Sequence, residues 1–108
     1  MGRLSDVNGR HLRGKVNKAD VPVFFTIRLT VTGDYSNPIK GLVKFHLHDS
    51  FKNANPIIAA RNNMAELNLN WVYGAFTVGV ETDNGQTKLE LDLAELEDAP
   101  KDFRERKT

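Results

Sequence analysis

The feature that most constrains this chain is a period of two. Apolar and polar residues alternate over 23–31, 43–48, 67–71, 76–80 and 87–93. Successive side chains of a strand point to opposite faces, so each stretch offers one dry face and one wet face. Val23, Phe25, Ile27, Leu29 and Val31 share the dry face of the first, against Phe24, Thr26, Arg28 and Thr30. Leu67, Leu69 and Trp71 share a face, which predicts a core position for Trp71. Phe76, Val78 and Val80 alternate with Thr77, Gly79 and Glu81. Thr87, Leu89, Leu91 and Leu93 answer them against Lys88, Glu90 and Asp92. No stretch carries the 3.6-residue spacing of a convincing amphipathic helix.

Turn residues punctuate the alternation. Gly33-Asp34-Tyr35-Ser36-Asn37-Pro38 is a turn cluster, and Asn84-Gly85 suits a tight hairpin that needs positive φ. His11-Leu12-Arg13-Gly14-Lys15-Val16 reads as a short edge strand. Pro22 can open a strand but not sit inside a central one. Residues 56–60 read as a short strand joining the opposite sheet, and Arg61-Asn62-Asn63 ends it. Leu93-Ala94-Glu95-Leu96 can start a helical turn. Residues 97–108 form a charged tail that frays, with Phe103 as the one residue able to dock. Closely spaced antiparallel strands with one wet face must pair their dry faces, so the expected fold is all-β, an antiparallel β-sandwich. A small barrel is the second choice. The domain is expected over 1–96, with 97–108 outside it.

Composition removes several function classes. A chain of 108 residues is one domain. A net charge of +1 gives no electrostatic case for nucleic acid or an anionic membrane. There is no cysteine, hence no disulfide, thiol nucleophile or thiolate metal site, and a cytoplasmic location is expected. Met1-Gly2-Arg3-Leu4-Ser5-Asp6 lacks the apolar segment of a secretory signal, and Asp6 stands where N-myristoylation needs Ser or Thr. No apolar run approaches the ~20 residues of a membrane span.

The chemistry gathers where the second alternating stretch ends. Val43, Phe45 and Leu47 alternate with Lys44, His46 and His48, and then Asp49-Ser50-Phe51 breaks into a polar loop through Pro56. An aromatic on a polar loop, beside a hydroxyl and a histidine, suits the lip of a binding slot. Val72-Tyr73-Gly74 is a second loop carrying an aromatic. His46 and His48 share a strand face in this reading, but a metal needs a third converging ligand, and His11 is the only other histidine. Ser50, His48 and Asp49 are too close along an extended chain to form a hydrolase relay, and no glycine-flanked nucleophile elbow is present. The expectation is therefore no enzyme activity, no metal and no cofactor.

Val43-Lys44-Phe45-His46-Leu47-His48-Asp49-Ser50-Phe51, followed by Tyr73-Gly74-Ala75-Phe76, resembles the YEATS domain. Gly74-Ala75-Phe76-Thr77-Val78-Gly79-Val80-Glu81 and Thr87-Lys88-Leu89-Glu90-Leu91-Asp92-Leu93 are similar to the later strands of its prokaryotic branch. The resemblance spans residues 10–96. It implies an immunoglobulin-like β-sandwich, with an acylated lysine entering a slot between loops at one end. It implies His48, Ser50 and Phe51 on the first slot loop and Tyr73 as the aromatic of the second. The second loop departs from the Gly-Trp-Gly-Glu type common in the family, and Phe24 is the candidate for a further aromatic from an earlier loop.

Such a slot needs flat apolar walls and polar groups for an amide. Phe51 and Tyr73 can supply walls, and the Ser50 hydroxyl can donate or accept. Backbone N–H groups around Gly74 can meet a carbonyl, since no side chain obstructs the approach. His48 can orient Ser50 or wall the slot. A neutral acyl-amide loses less on burial than an ammonium, although aromatic faces also attract cations. The plainer alternatives are Phe51 packed into the core, Ser50 bonded to its own backbone and Tyr73 as a surface or corner tyrosine. The expected function is a binding or sensing module for an acylated lysine on a protein or a small acyl ligand, with an effector or signalling protein as partner. The alternative is an adaptor sandwich that binds protein through its edges or loops, with no acyl pocket.

Overall fold

The alternating stretches become the strands of two antiparallel sheets. The computed structural model describes residues 4–106. The signal and myristoylation readings rest partly on Met1-Gly2-Arg3, which lies outside the described residues, as do Lys107 and Thr108 of the expected tail. Eight strands follow in order: β1 (Asp6–Val7), β2 (Arg10–Lys18), β3 (Phe25–Gly33), β4 (Leu42–His46), β5 (Ile57–Ala59), β6 (Met64–Val72), β7 (Thr77–Thr82) and β8 (Thr87–Asp92). Two 3-10 turns, at Asp83–Gly85 and Leu93–Glu95, and one short helix, α1 (Lys101–Glu105), complete the described residues. One sheet has the order β1-β2-β3-β6 and the other β5-β4-β7-β8. Among the described residues no helix is long and apolar enough to cross a membrane.

The dry faces meet as the alternation requires. Phe25, Ile27, Leu29 and Val31 of β3 are buried in the same core cluster as Val43 and Phe45 of β4 and Val78 and Val80 of β7. Among the described residues one ion pair crosses between the sheets. The Arg10 guanidinium, 5% exposed, donates to both Asp83 carboxylate oxygens at 3.1 and 3.0 Å and also to the Asn37 carbonyl. The turn after β7 holds Asp83, Asn84 and Gly85 at φ 55°, 57° and 86°. It is longer than a two-residue hairpin, because the last paired residues are Thr82 and Thr87.

Several local expectations are corrected. β2 is no edge strand; it runs from Arg10 to Lys18 between β1 and β3. β5 joins the same sheet as β4, not the opposite one. The intervening loop folds back on itself, with the Leu47 N–H donating to the Ala54 carbonyl at 2.7 Å and the Phe45 N–H to that of Pro56 at 2.9 Å. Val23 stands before β3, exposed and at φ 69°, so the dry face of that strand begins at Phe25.

Trp71 is 64% exposed rather than core. Phe25 and Ile27 pair with Val72 and Leu69, so two steps on β3 face three on β6. The extra residue is a β-bulge; Trp71 takes φ 60°, turns outward, and Val72 takes the inner place. The segment expected to lie outside the domain packs into it. Phe103 is fully buried, edge-on to Phe25 with ring centres 5.1 Å apart, so the domain extends past residue 96 to Arg106.

Candidate functional site

The first loop begins where β4 ends, at His46. That corrects the shared strand face expected of His46 and His48. His46 stays with the sheet, its ring nitrogens toward Asn55 and the Glu81 carboxylate. The hydrogen bond with His46 is the largest cause of a Glu81 pKa below the ordinary carboxylate value. His48 lies in the loop, and the Phe51 N–H donates to the His48 carbonyl at 3.1 Å, closing a tight turn. Inside this turn the Ser50 N–H donates to His48 Nδ1 at 3.1 Å, and Ser50 Oγ lies 2.9 Å from the same nitrogen.

A nitrogen that accepts from a backbone N–H carries no proton of its own. The short contact from Ser50 Oγ to Nδ1 is then a hydrogen bond donated by the hydroxyl. The Oγ lone pairs remain available as acceptors. Phe51 lies beside this pair, half-buried against Phe76 with ring centres 5.3 Å apart. His48 also faces Phe76, at 6.5 Å. Phe76 is thus the residue that joins the first loop to the second.

The second loop, residues 73–76, descends from the bulged end of β6 to the start of β7. Tyr73 is exposed, while Gly74, Ala75 and Phe76 are buried. The Ala75 N–H donates to the Arg106 carbonyl at 2.7 Å. A Cβ on Gly74 would stand 1.8 Å from that oxygen, so only glycine admits it. The Arg106 guanidinium carbon lies 4.9 Å from the Tyr73 ring centre and 5.7 Å from that of Phe25. Its Nη1 donates to the Val23 carbonyl at 2.9 Å.

His48, Ser50 and Phe51 are therefore held as one unit, and Tyr73 and Gly74 are held with Arg106. Among the described residues Phe51 and Tyr73 make no ring-to-ring contact; Phe51 meets Phe76, and Tyr73 meets the guanidinium. Phe24 goes to neither loop, since its ring meets Trp71 edge-on at 5.6 Å. Sequence reasoning placed Phe76 on a strand face and missed its part between the loops. It gave no signal for Arg106, one cation among many in a charged segment. Among the described residues no three His, Asp or Glu side chains group as a metal ion would need.

Among known protein families, the prokaryotic YEATS domain matches residues 25–94. That span is more than half of the 108 residues and contains both loops. Arg106 and α1 lie beyond it. No curated protein and no solved structure matches the chain.

Proposed function

The chain belongs to the prokaryotic YEATS domain family, and from that premise we propose that it is a non-enzymatic binding module for an acylated lysine on a protein or a small acyl-bearing molecule. The observation that carries the reading is the His48–Ser50 pair. With its proton directed to Nδ1, the Ser50 hydroxyl is an acceptor aimed outward, and an acyl-amide has one N–H to give it. An ammonium would have to shed more hydration to reach the same place. Phe51, backed by the buried Phe76, offers apolar surface next to that acceptor, and the 73–75 loop offers backbone and the Tyr73 ring to the far side of the acyl group. An effector or signalling protein in the cytoplasm is the partner this reading favours.

The test compares Nε-acetyl-lysine peptides, small acyl compounds and an unmodified lysine peptide by thermal shift. A ligand bound only by the folded state raises the melting temperature. The acetylated peptide should raise it and the unmodified one should not. Ser50→Ala should then weaken binding by about 1–3 kcal/mol, the cost of an unpartnered buried amide. Undiminished binding by both Ser50→Ala and Phe51→Ala would put the slot elsewhere.

A second reading, an adaptor sandwich with no acyl pocket, is favoured by a different observation. Val23 and Trp71 are both large, apolar and exposed, and both hold positive φ. For a β-branched or bulky residue that backbone is strained, and strain of this kind gathers at functional sites. If no acyl compound shifts the melting temperature while Trp71→Ala abolishes capture of a partner protein, this reading replaces the first.

A further inference from the structure

The 73–75 loop is already filled, and by the chain itself. Arg106 gives it a main-chain carbonyl on the Ala75 N–H, a planar cation on the Tyr73 ring, and an N–H on the Val23 carbonyl. A carbonyl, a planar cation and a side-chain N–H are groups that any peptide arginine carries. Arg106 has left the helix, at φ −95° and ψ 89°. The loop is shaped for the visitor, because the place where a Gly74 side chain would stand is taken by the Arg106 oxygen. A planar guanidinium that both stacks and donates suits this arrangement better than an ammonium.

Anchor and occupant are separable. Phe103, three residues earlier, is fully buried and fixes α1 to the core. Arg106 is only half-buried. The hydrogen bonds of Arg106 with Ala75, Val23 and Phe103 and its exposed cation–aromatic contact are each weak on balance. Arg106 can therefore swing away while α1 stays in place.

We propose that Tyr73, the Ala75 N–H and the Val23 carbonyl form a receptor for a peptide arginine, that Arg106 fills it as an internal ligand, and that Arg106 must withdraw before the second loop can contact an acyl ligand. This rests on the reading of that loop as one wall of the acyl site. The consequence is a built-in competitor. A ligand is held at full strength only by the fraction of molecules whose loop is open, so its apparent affinity is reduced by that fraction.

The experiment compares the full chain with Arg106→Ala, Arg106→Lys and a chain stopped after Glu105, all of which keep Phe103. Two quantities are read: hydrogen exchange at the Ala75 amide, and the dissociation constant of acetyl-Gly-Lys(Nε-acetyl)-Gly-amide. The shortened chain should exchange Ala75 about tenfold faster or more while the Val80 amide stays protected, and should bind the peptide about tenfold more tightly. Arg106→Lys should fall between the parent and Arg106→Ala. Unchanged Ala75 exchange in the shortened chain overturns the proposal, because Arg106 would then not close the loop. Faster exchange with equal, measurable peptide binding in all forms also overturns it, and leaves the acyl reading standing. Binding in no form removes the acyl reading and this proposal with it, and Arg106 is then a structural latch.

Discussion

Trp71 and Val72 exchange the roles that alternation assigns them, and a single backbone angle does it. With Trp71 at φ 60° the strand gains one residue without any change in its pattern of residue types. Val72→Ala should therefore cost about 1.5 kcal/mol or more, for two buried methyl groups. Trp71→Ala should cost at most about 1 kcal/mol, chiefly its edge contact with Phe24. Chemical denaturation of the pair decides this, and a larger loss at Trp71 than at Val72 would remove the bulge. The bulge was not legible because Leu67, Leu69 and Trp71 keep perfect alternation through it. His48, Ser50 and Phe51 were legible as a group because they are neighbours in the chain and their contacts are local. Phe76 and Arg106 reach the site from 25 and more residues away, a distance over which periodicity carries no information. Gly74 presents a bare backbone that another group can approach. The group that approaches is the chain's own carbonyl.

Among the elements, the β7–β8 hairpin and α1 stand at opposite ends of what a sequence can announce. Left-handed backbone is cheap for glycine and tolerated by Asn and Asp, so Asp83-Asn84-Gly85 names its own conformation. Gly85→Val should cost about 1–2 kcal/mol. The cost is conformational, since a Cβ there would meet only Glu81 Oε1, at an ordinary 3.6 Å. An unchanged denaturation midpoint for Gly85→Val would mean that the turn tolerates a side chain at φ 86°. α1 had no such signature. Lys101–Glu105 contains one apolar residue, and one residue cannot set a period. Its energy is tertiary: Phe103→Ala should cost about 3–5 kcal/mol by leaving a cavity against Phe25. If the melting temperature barely moved, residues 97–106 would be the solvated tail that their charge suggests.

At the scale of the whole molecule, two charged clusters tie together parts that the core alone does not, and they respond to pH with opposite sign. The Arg10 hydrogen bonds hold the Asp83 carboxyl below its ordinary value of 3.8. A carboxylate with a depressed folded pKa adds stability that is present above 3.8 and is lost as pH falls through the folded value. His11 behaves in reverse. Its ring lies between Asp34 at 2.9 Å and Asp6 at 2.7 Å, and these hydrogen bonds raise its pKa above the ordinary 6.5. That contribution is complete below pH 6.5 and is lost as pH rises through the folded value. Melting temperature against pH should therefore fall at both ends, with an acid limb below about pH 4 and a second decline beginning above about pH 6.5. Asp83→Asn should flatten part of the acid limb and lower the neutral plateau, because it leaves Arg10 buried with half its partners weakened. His11→Gln should remove the upper decline and, because the His11 hydrogen bond is the largest cause of a lowered Asp6 pKa, soften the Asp6 part of the acid limb while leaving the Asp83 part in place. Salt separates the clusters further. The histidine and its carboxylates are about a third to a half exposed, while the Arg10 side chain is 5% exposed. In about 1 M salt, where screening acts over ~3 Å, the upper decline should shrink and the Asp83 part of the acid limb should persist. If His11→Gln and the parent lost stability identically between pH 6 and 8, the clasp from β2 to β1 and to the turn after β3 would contribute nothing to folding.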